Sequence, residues 1–125
     1  MIEYTVKVFD SGTRYWYLND KYHREDGPAI EWADGSNEWW LNGERHRENG
    51  PAFDVDGRKE WCLNGKLHRE DGPAVEWADG TKEWWLNGIQ YSEEDYWNQL
   101  RPVKELTVAE IEALLGYQIK VVNGK

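Results

Sequence analysis

Trp39-Trp40-Leu41-Asn42-Gly43, then His46-Arg47-Glu48, then Gly50-Pro51-Ala52: this stretch decides how the chain is read, because most of it recurs. Its opening returns as Trp16-Tyr17-Leu18-Asn19, Trp61-Cys62-Leu63-Asn64-Gly65 and Trp84-Trp85-Leu86-Asn87-Gly88. Its continuation returns from His23 to Ala29 and from His68 to Ala74. The steps from Trp16 to Trp39, Trp61 and Trp84 are 23, 22 and 23 residues. A fixed period of this size marks a repeat architecture in which one unit cannot bury its apolar face alone.

Asn-Gly between alternating segments is the strongest short hairpin signal, since a type I′ turn needs positive φ at both central residues. Asn42-Gly43, Asn64-Gly65 and Asn87-Gly88 fit, and Asn19-Asp20 is a weaker variant. Asp34-Gly35, Asp56-Gly57 and Asp79-Gly80 mark the opposite turns. The expected fold is mainly β with a small α cap, an antiparallel β-hairpin meander of about four repeats of 22–23 residues.

Alternation sorts the side chains between two faces. A turn at Asn42-Gly43 sets Leu41 opposite Glu44, Trp40 opposite Arg45 and Trp39 opposite His46. A turn at Asp34-Gly35 sets Ile30 opposite Trp39. The first face then holds Ile30, Trp32, Trp39, Leu41 and His46, with Phe53, Val55, Trp61 and Leu63, and Val75, Trp77, Trp84 and Leu86, at the matching positions. It is the expected core. The second face holds Glu31, Glu38, Trp40 and Arg45 and varies from repeat to repeat. Near Asp56-Gly57 one residue is missing, and a register slip there would flip every side chain. A three-residue loop, Asp56-Gly57-Arg58, keeps Phe53 opposite Trp61, so a changed turn and an unchanged core are expected. A bulge would do the same.

The ends differ from the repeats, dividing the chain into 1–91 and a capping segment 92–125. Tyr4 to Phe9 alternates like a strand. Ser92-Glu93-Glu94-Asp95 and Thr107-Val108-Ala109-Glu110 read as capping boxes. The first opens a helix through about Leu100, ended by Pro102. The second opens one with an apolar stripe of Ile111, Leu114 and Leu115 and a Gly116 cap. Residues 117–122 look like a last strand. The helices are the expected cover for the sheet.

Only 39% of residues are hydrophobic, but nine Trp and seven Tyr supply large buried areas. The net charge of −9 repels nucleic acid and anionic membranes, so neither is an expected direct partner. The acidity serves solubility or imitates a polyanion for a basic protein. The single cysteine, Cys62, sits where other repeats carry Tyr or Trp and reads as a packing residue. The start lacks the pattern of a signal peptide and no apolar run approaches membrane length, so a soluble, cytoplasmic protein is expected.

Asn64-Gly65-Lys66-Leu67-His68, Asp79-Gly80-Thr81-Lys82-Glu83-Trp84 and Asn87-Gly88 together resemble the MORN repeat over roughly residues 13–91. The His-Arg-Glu-Asp-Gly-Pro-Ala wording departs from the usual glycine after His, at Arg24, Arg47 and Arg69. It is similar to the MORN-like variant of small accessory proteins of tailed phages. The resemblance implies stacked β-hairpins and a binding role, and brings no catalytic residues. The departure and the acidic charge both stand against the lipid binding of some MORN proteins.

His23, His46 and His68 invite a metal reading, but equivalent positions two strands apart form a ladder, not a cluster. Each is expected to pack on Trp16, Trp39 or Trp61 across its hairpin and to hydrogen-bond locally; Trp84 completes this structural set. Three copies of one environment also oppose acid–base catalysis, which needs unlike environments. Arg24, Arg47 and Arg69 are expected to brace the strands through Glu or backbone carbonyls. Two partner-binding sets stand out on the second face. One is an aromatic stripe of Tyr17, Tyr22, Trp40, Arg45, Leu67 and Trp85, with the pairs Cys62–Leu67 and Trp85–Gln90. The helices or the curl of the sheet would bury it; otherwise it meets a partner. The other is an acidic ladder of Glu31, Glu38, Asp54, Glu60, Glu76 and Glu83. No cofactor is expected. The function read from these features is non-enzymatic binding of another protein, with inhibition of a host defence or nucleic-acid-handling complex as the specific form the resemblance implies. A carbohydrate-binding module using Trp40 and Trp85 and a self-assembling structural protein are the alternatives.

Overall fold

The computed structural model describes residues 2–101 and 105–118. Its strands are β1 (Thr5–Val8), β2 (Arg14–Leu18), β3 (Lys21–Tyr22), β4 (Ile30–Glu31), β5 (Asn37–Glu38), β6 (Trp40–Leu41) and β7 (Glu44–Arg45). They continue as β8 (Phe53–Val55), β9 (Arg58–Glu60), β10 (Cys62–Leu63), β11 (Lys66–Leu67), β12 (Val75–Glu76), β13 (Lys82–Leu86) and β14 (Ile89–Tyr91). Two helices follow, α1 (Glu93–Leu100) and α2 (Val108–Leu115). The protein is mainly antiparallel β. One sheet runs β1-β2-β4-β5-β8-β9-β12-β13-β14, with β3 on β2; β6–β7 and β10–β11 form separate pairs.

The Asn-Gly turns behave as their chemistry requires. Asn19, Asp20, Asn42, Asn64 and Asn87 all have positive φ, and Trp40 faces Arg45 while Leu41 faces Glu44. The tryptophan before each such hairpin is a junction. Trp39 donates its backbone N–H to Ala52 and accepts from His46, tying the main sheet to the small hairpin. Trp16 and Trp61 do the same with Ala29 and His23, and with Ala74 and His68. Neighbouring hairpins are stitched by Arg24 N–H to Trp40 and Gly43 N–H to Tyr22.

The Asp-Gly turns depart from expectation, and the departure re-sorts the faces. Trp32 N–H bonds Ser36 and Gly35 N–H bonds Trp32, with Gly35 alone at positive φ (+92°). The loop is thus three residues, Ala33 to Gly35, a turn followed by a bulge. Ile30 consequently lies opposite Glu38, not Trp39. Trp39, one position on, points to the other side. The turn at Asp79-Gly80 is built the same way, with Val75 opposite Glu83. At Asp56-Gly57 both residues have positive φ, and Val55 pairs directly with Arg58 in a two-residue turn. The missing residue is absorbed in the turn, as expected, but the loop is shorter than expected and Phe53 faces Glu60 rather than Trp61.

The expected core therefore divides between the two faces. Ile30, Trp32, Phe53, Val55, Val75 and Trp77 share one face with Glu38, Glu60 and Glu83; Trp39, Leu41, His46, Trp61, Leu63 and Trp84 belong to the other. What is fully buried is small: Ala29, Ala52 and Ala74 at the bends, with Ile30, Cys62, Val75, Leu86 and Tyr96. The indoles are mostly half-buried and covered by other side chains.

Both helices have the expected bounds; Thr107 and Glu110 form the expected capping box and Gly116 is left-handed, whereas at Ser92 only half of the expected box is seen, its side chain accepting from Asp95 N–H. Neither lies over a sheet face as the expected cover. Helix α1 closes the end of the sheet instead, placing Tyr96 and Trp97 against Trp84, 5.0 and 5.8 Å between ring centres. The Tyr96 hydroxyl accepts from Gly72 N–H (3.2 Å) and donates to the Arg69 carbonyl. At the other end Tyr4 covers Trp16 and accepts from Glu25 N–H. Helix α2 buries no residue, and Leu114 and Leu115 are exposed. Pro102 and residues 119–122 of the expected last strand lie outside the described residues. Among the described residues no helix is long and apolar enough to cross a membrane.

Candidate functional site

The Ile30 face carries a run of rings. Phe9 meets Tyr15 (4.9 Å), Tyr15 meets Trp32 (5.8 Å) and Tyr22 (5.8 Å), Tyr22 stacks on Tyr17 (5.0 Å) and tilts against Trp40 (5.4 Å). Alternation along β2 and the Tyr17–Tyr22 pairing put these rings on one side. Arg45 extends the run, its guanidinium 5.4 Å from the Trp40 ring and 4.4 Å from Phe53. Leu67 continues the face through its pairing with Cys62, and Trp85 through its pairing with Gln90. A hydrogen bond with Tyr17, then burial, raises the Tyr22 hydroxyl above its ordinary value. The stripe thus forms one continuous aromatic cluster from Phe9 to Arg45, while Leu67 and Trp85 stand further along it. Helix α1 does not cover the cluster.

The acidic ladder does not form one row. Glu38 is buried, and its two oxygens accept the indole N–H of Trp32 (3.0 Å) and of Trp40 (3.2 Å). Glu83 accepts from Trp77 and Trp85 in the same way. Glu60 is buried between guanidiniums, with Arg58 at 3.0 Å and Arg45 at 3.6 Å. Glu31, Asp54 and Glu76 sit at the alternate positions and face the other side. The expectation that all six flank the aromatic stripe is therefore corrected: the odd loop length moved the alternation by one. Buried carboxylates need partners: Glu38, and the half-buried Glu83, are held by indole N–H groups, while Glu60 is held by ion pairs.

The opposite face is a row of guanidinium–indole stacks. Arg24, Arg47 and Arg69 lie 3.9, 4.0 and 3.9 Å from the ring centres of Trp16, Trp39 and Trp61. Each also donates to a bend carbonyl, of Pro28, Pro51 or Pro73, which is the bracing role expected for them. Each histidine accepts at Nδ1 from the next Asn-Gly turn: His23 from Asn42 (2.9 Å), His46 from Asn64 (3.0 Å) and His68 from Asn87 (2.9 Å). The histidines therefore link successive hairpins instead of bonding locally. The indole contact beside them belongs to arginine, whose flat cation matches an aromatic face. Sequence reasoning missed this pairing, although Trp and Arg repeat at the same period. Between the bends lie two grooves, of about 460 and about 320 Å³.

Among the described residues no three His, Cys, Asp or Glu side chains converge as a metal set. Burial, then Glu60, pushes the Cys62 thiol up to about 11, so it is protonated and unreactive at neutral pH. Compared with protein-family models, with curated proteins and with solved structures, the chain shows no match.

Proposed function

We propose that this chain is a MORN-like β-hairpin repeat protein that acts by binding another protein, without catalysis, through its aromatic face. The observation that carries the reading is the continuous cluster Phe9, Tyr15, Tyr17, Tyr22, Trp32 and Trp40, which ends on Arg45, with Phe9 exposed and the others half-buried. Tyr, Trp and Arg anchor interfaces because they bury large area and still offer a polar group. The target class that the phage resemblance implies is a host defence or nucleic-acid-handling complex in the cytoplasm. Occlusion by the aromatic face is the mode supported. Mimicry of a phosphate backbone by the six ladder carboxylates is not, because Glu38 and Glu60 are engaged inside the face.

The test is capture of partners from nuclease-treated host lysate, followed by titration of the purified partner. The variant is Tyr17→Ser/Tyr22→Ser, which leaves the Glu38–indole bonds in place. Loss of binding with an unchanged melting temperature supports the reading. A partner that binds the variant equally, or that leaves with the nucleic acid, overturns it. Self-association is a second reading, favoured by β1, which ends the sheet order and exposes Val8 and Phe9. A sedimentation coefficient that does not change with concentration excludes it.

A further inference from the structure

The three guanidinium–indole stacks are not equivalent, and the difference lies at the middle one. Arg24 and Arg69 each meet two carboxylates. Arg24 has Asp26 on Nε (3.1 Å) and Glu31 on Nη1 (2.9 Å); Arg69 has Asp71 (2.9 Å) and Glu76 (3.5 Å). At Arg47 the matching positions are Asn49 and Asp54. The first has no charge and the second is one methylene shorter. Among the described residues no carboxylate is within ion-pairing distance of Arg47, and its Nε is buried with no hydrogen-bond partner. Among the described residues, the one hydrogen bond of its side chain goes to the Pro51 carbonyl (3.2 Å). Burial lowers its pKa from the ordinary arginine value, with Asp54 opposing, yet it stays charged at neutral pH. Arg47 and Asn49 are also shared by both grooves, one of which runs toward Arg24 and the other toward Arg69.

We propose that Arg47 and Asn49 form a docking site for a single carboxylate of a partner protein. The carboxylate meets the part of the guanidinium that lines the two grooves, beside the buried Nε that Asp26 and Asp71 satisfy from within the chain in the flanking units. The outer stacks show that this guanidinium geometry accepts a carboxylate on Nε, and such pairs are strong because both members are charged and planar. The Asn49 amide supplies a further N–H donor where an aspartate would repel. A phosphate is disfavoured, because Glu25, Glu48, Glu70 and Asp71 rim the grooves and a dianion meets about twice the repulsion of a monoanion. Trp39 and Leu41 line the groove beside Arg47 and offer apolar surface to the side chain that bears the carboxylate. The site lies on the face opposite the aromatic cluster, so it stands or falls independently of the binding role given to that cluster.

The probe is N-acetyl-aspartate N-methylamide for a side-chain carboxylate and N-acetylglycine for a chain terminus, titrated while the arginine Nε–H signals are followed by NMR. The expected result is a saturable shift at Arg47 with at least one probe, while Arg24 and Arg69 move little. Whichever probe binds tighter names the source of the carboxylate. Asn49→Asp, which restores the flanking pattern on the surface, weakens the response roughly tenfold or more. Asp71→Asn/Glu76→Asp copies the central pattern into the next unit and makes Arg69 respond as well. The proposal is overturned if Arg47 responds no more than Arg24 and Arg69, or if Asn49→Asp binds the probes as wild type does.

Discussion

The central unit, residues 47–62, and the flanking units, 24–40 and 69–85, solve the same structural problem with different residues. In the flanking units a carboxylate, Glu38 or Glu83, joins two indoles. In the central unit both indole positions have changed, to Val55 and Cys62, and Glu60 stays buried. It is ion-paired with Arg58 (3.0 Å) and with Arg45, which stands 3.6 Å from both Glu60 and Glu38; the matching flanking positions hold Ser36, Thr81, Tyr22 and Leu67. A buried carboxylate must be satisfied, but two neutral donors or two cations can do it. On the other face the exchange is reversed, and Arg47 has lost the two carboxylates its neighbours keep. The turn differs too, with two residues in place of three and the strand register kept. The comparison teaches that the register and the carboxylate position are what the repeat preserves, and that the carboxylate's partners are what it varies.

The largest test of this comparison is Arg45→Ala/Arg58→Ala. It leaves Glu60 without its cations, and stability should fall by about 3 kcal/mol, the low end for breaking a buried pair because both arginines are partly exposed. A urea midpoint shifted at constant slope reads the loss; a midpoint unchanged from wild type breaks the comparison. Next in size is Trp40→Phe, which removes one of two donors from Glu38 and should cost about 1–2 kcal/mol in the same assay. Glycine substitutions then sharpen the difference between turns. Gly57 has φ +81°, and an added Cβ would sit 3.1 Å from the Ala78 Cβ; at Gly35 the added Cβ meets nothing within 4 Å. Gly57→Ala should therefore destabilise by more than the roughly 1 kcal/mol of strain expected for Gly35→Ala, and equal midpoints would remove the packing argument.

The smallest effect concerns acid. The N–H of Ser36 holds the Asp34 carboxyl below its usual range, and that of Thr81 does the same for Asp79. A folded pKa below the unfolded one means stability present above about pH 4 and lost as pH falls through the folded value. Asp34→Asn/Asp79→Asn should flatten the acid limb of the stability curve slightly, and a limb as steep as that of wild type would contradict this sign.

Much of the fold was legible because its signals are local. Asn-Gly forces positive φ, Ser92 and Thr107 cap helices within three residues, and the repeat period is visible without contacts. The error at Asp34-Gly35 was one residue, yet it misplaced half the expected core, since a pleated strand has a period of two. The aromatic cluster was half legible. Tyr17, Tyr22, Trp40 and Arg45 were recognised as one stripe, but Tyr15, two residues before Tyr17 on β2, was not joined to it, nor were Phe9 and Trp32, which reach it across other turns. The indole-bonded glutamates were read as part of an acidic ladder. Glu-x-Trp spacing at Glu38-Trp40 and Glu83-Trp85 was the signal that could have placed them.

By itself the sequence determined the units, the turns and the helix caps, because each depends on backbone conformation over a few neighbouring residues. Only the tertiary structure decided which side chains share a face, which indole meets which guanidinium, and which carboxylates are hubs. Those choices rest on loop length and on contacts between residues one repeat apart, and the same alternating letters permit either answer.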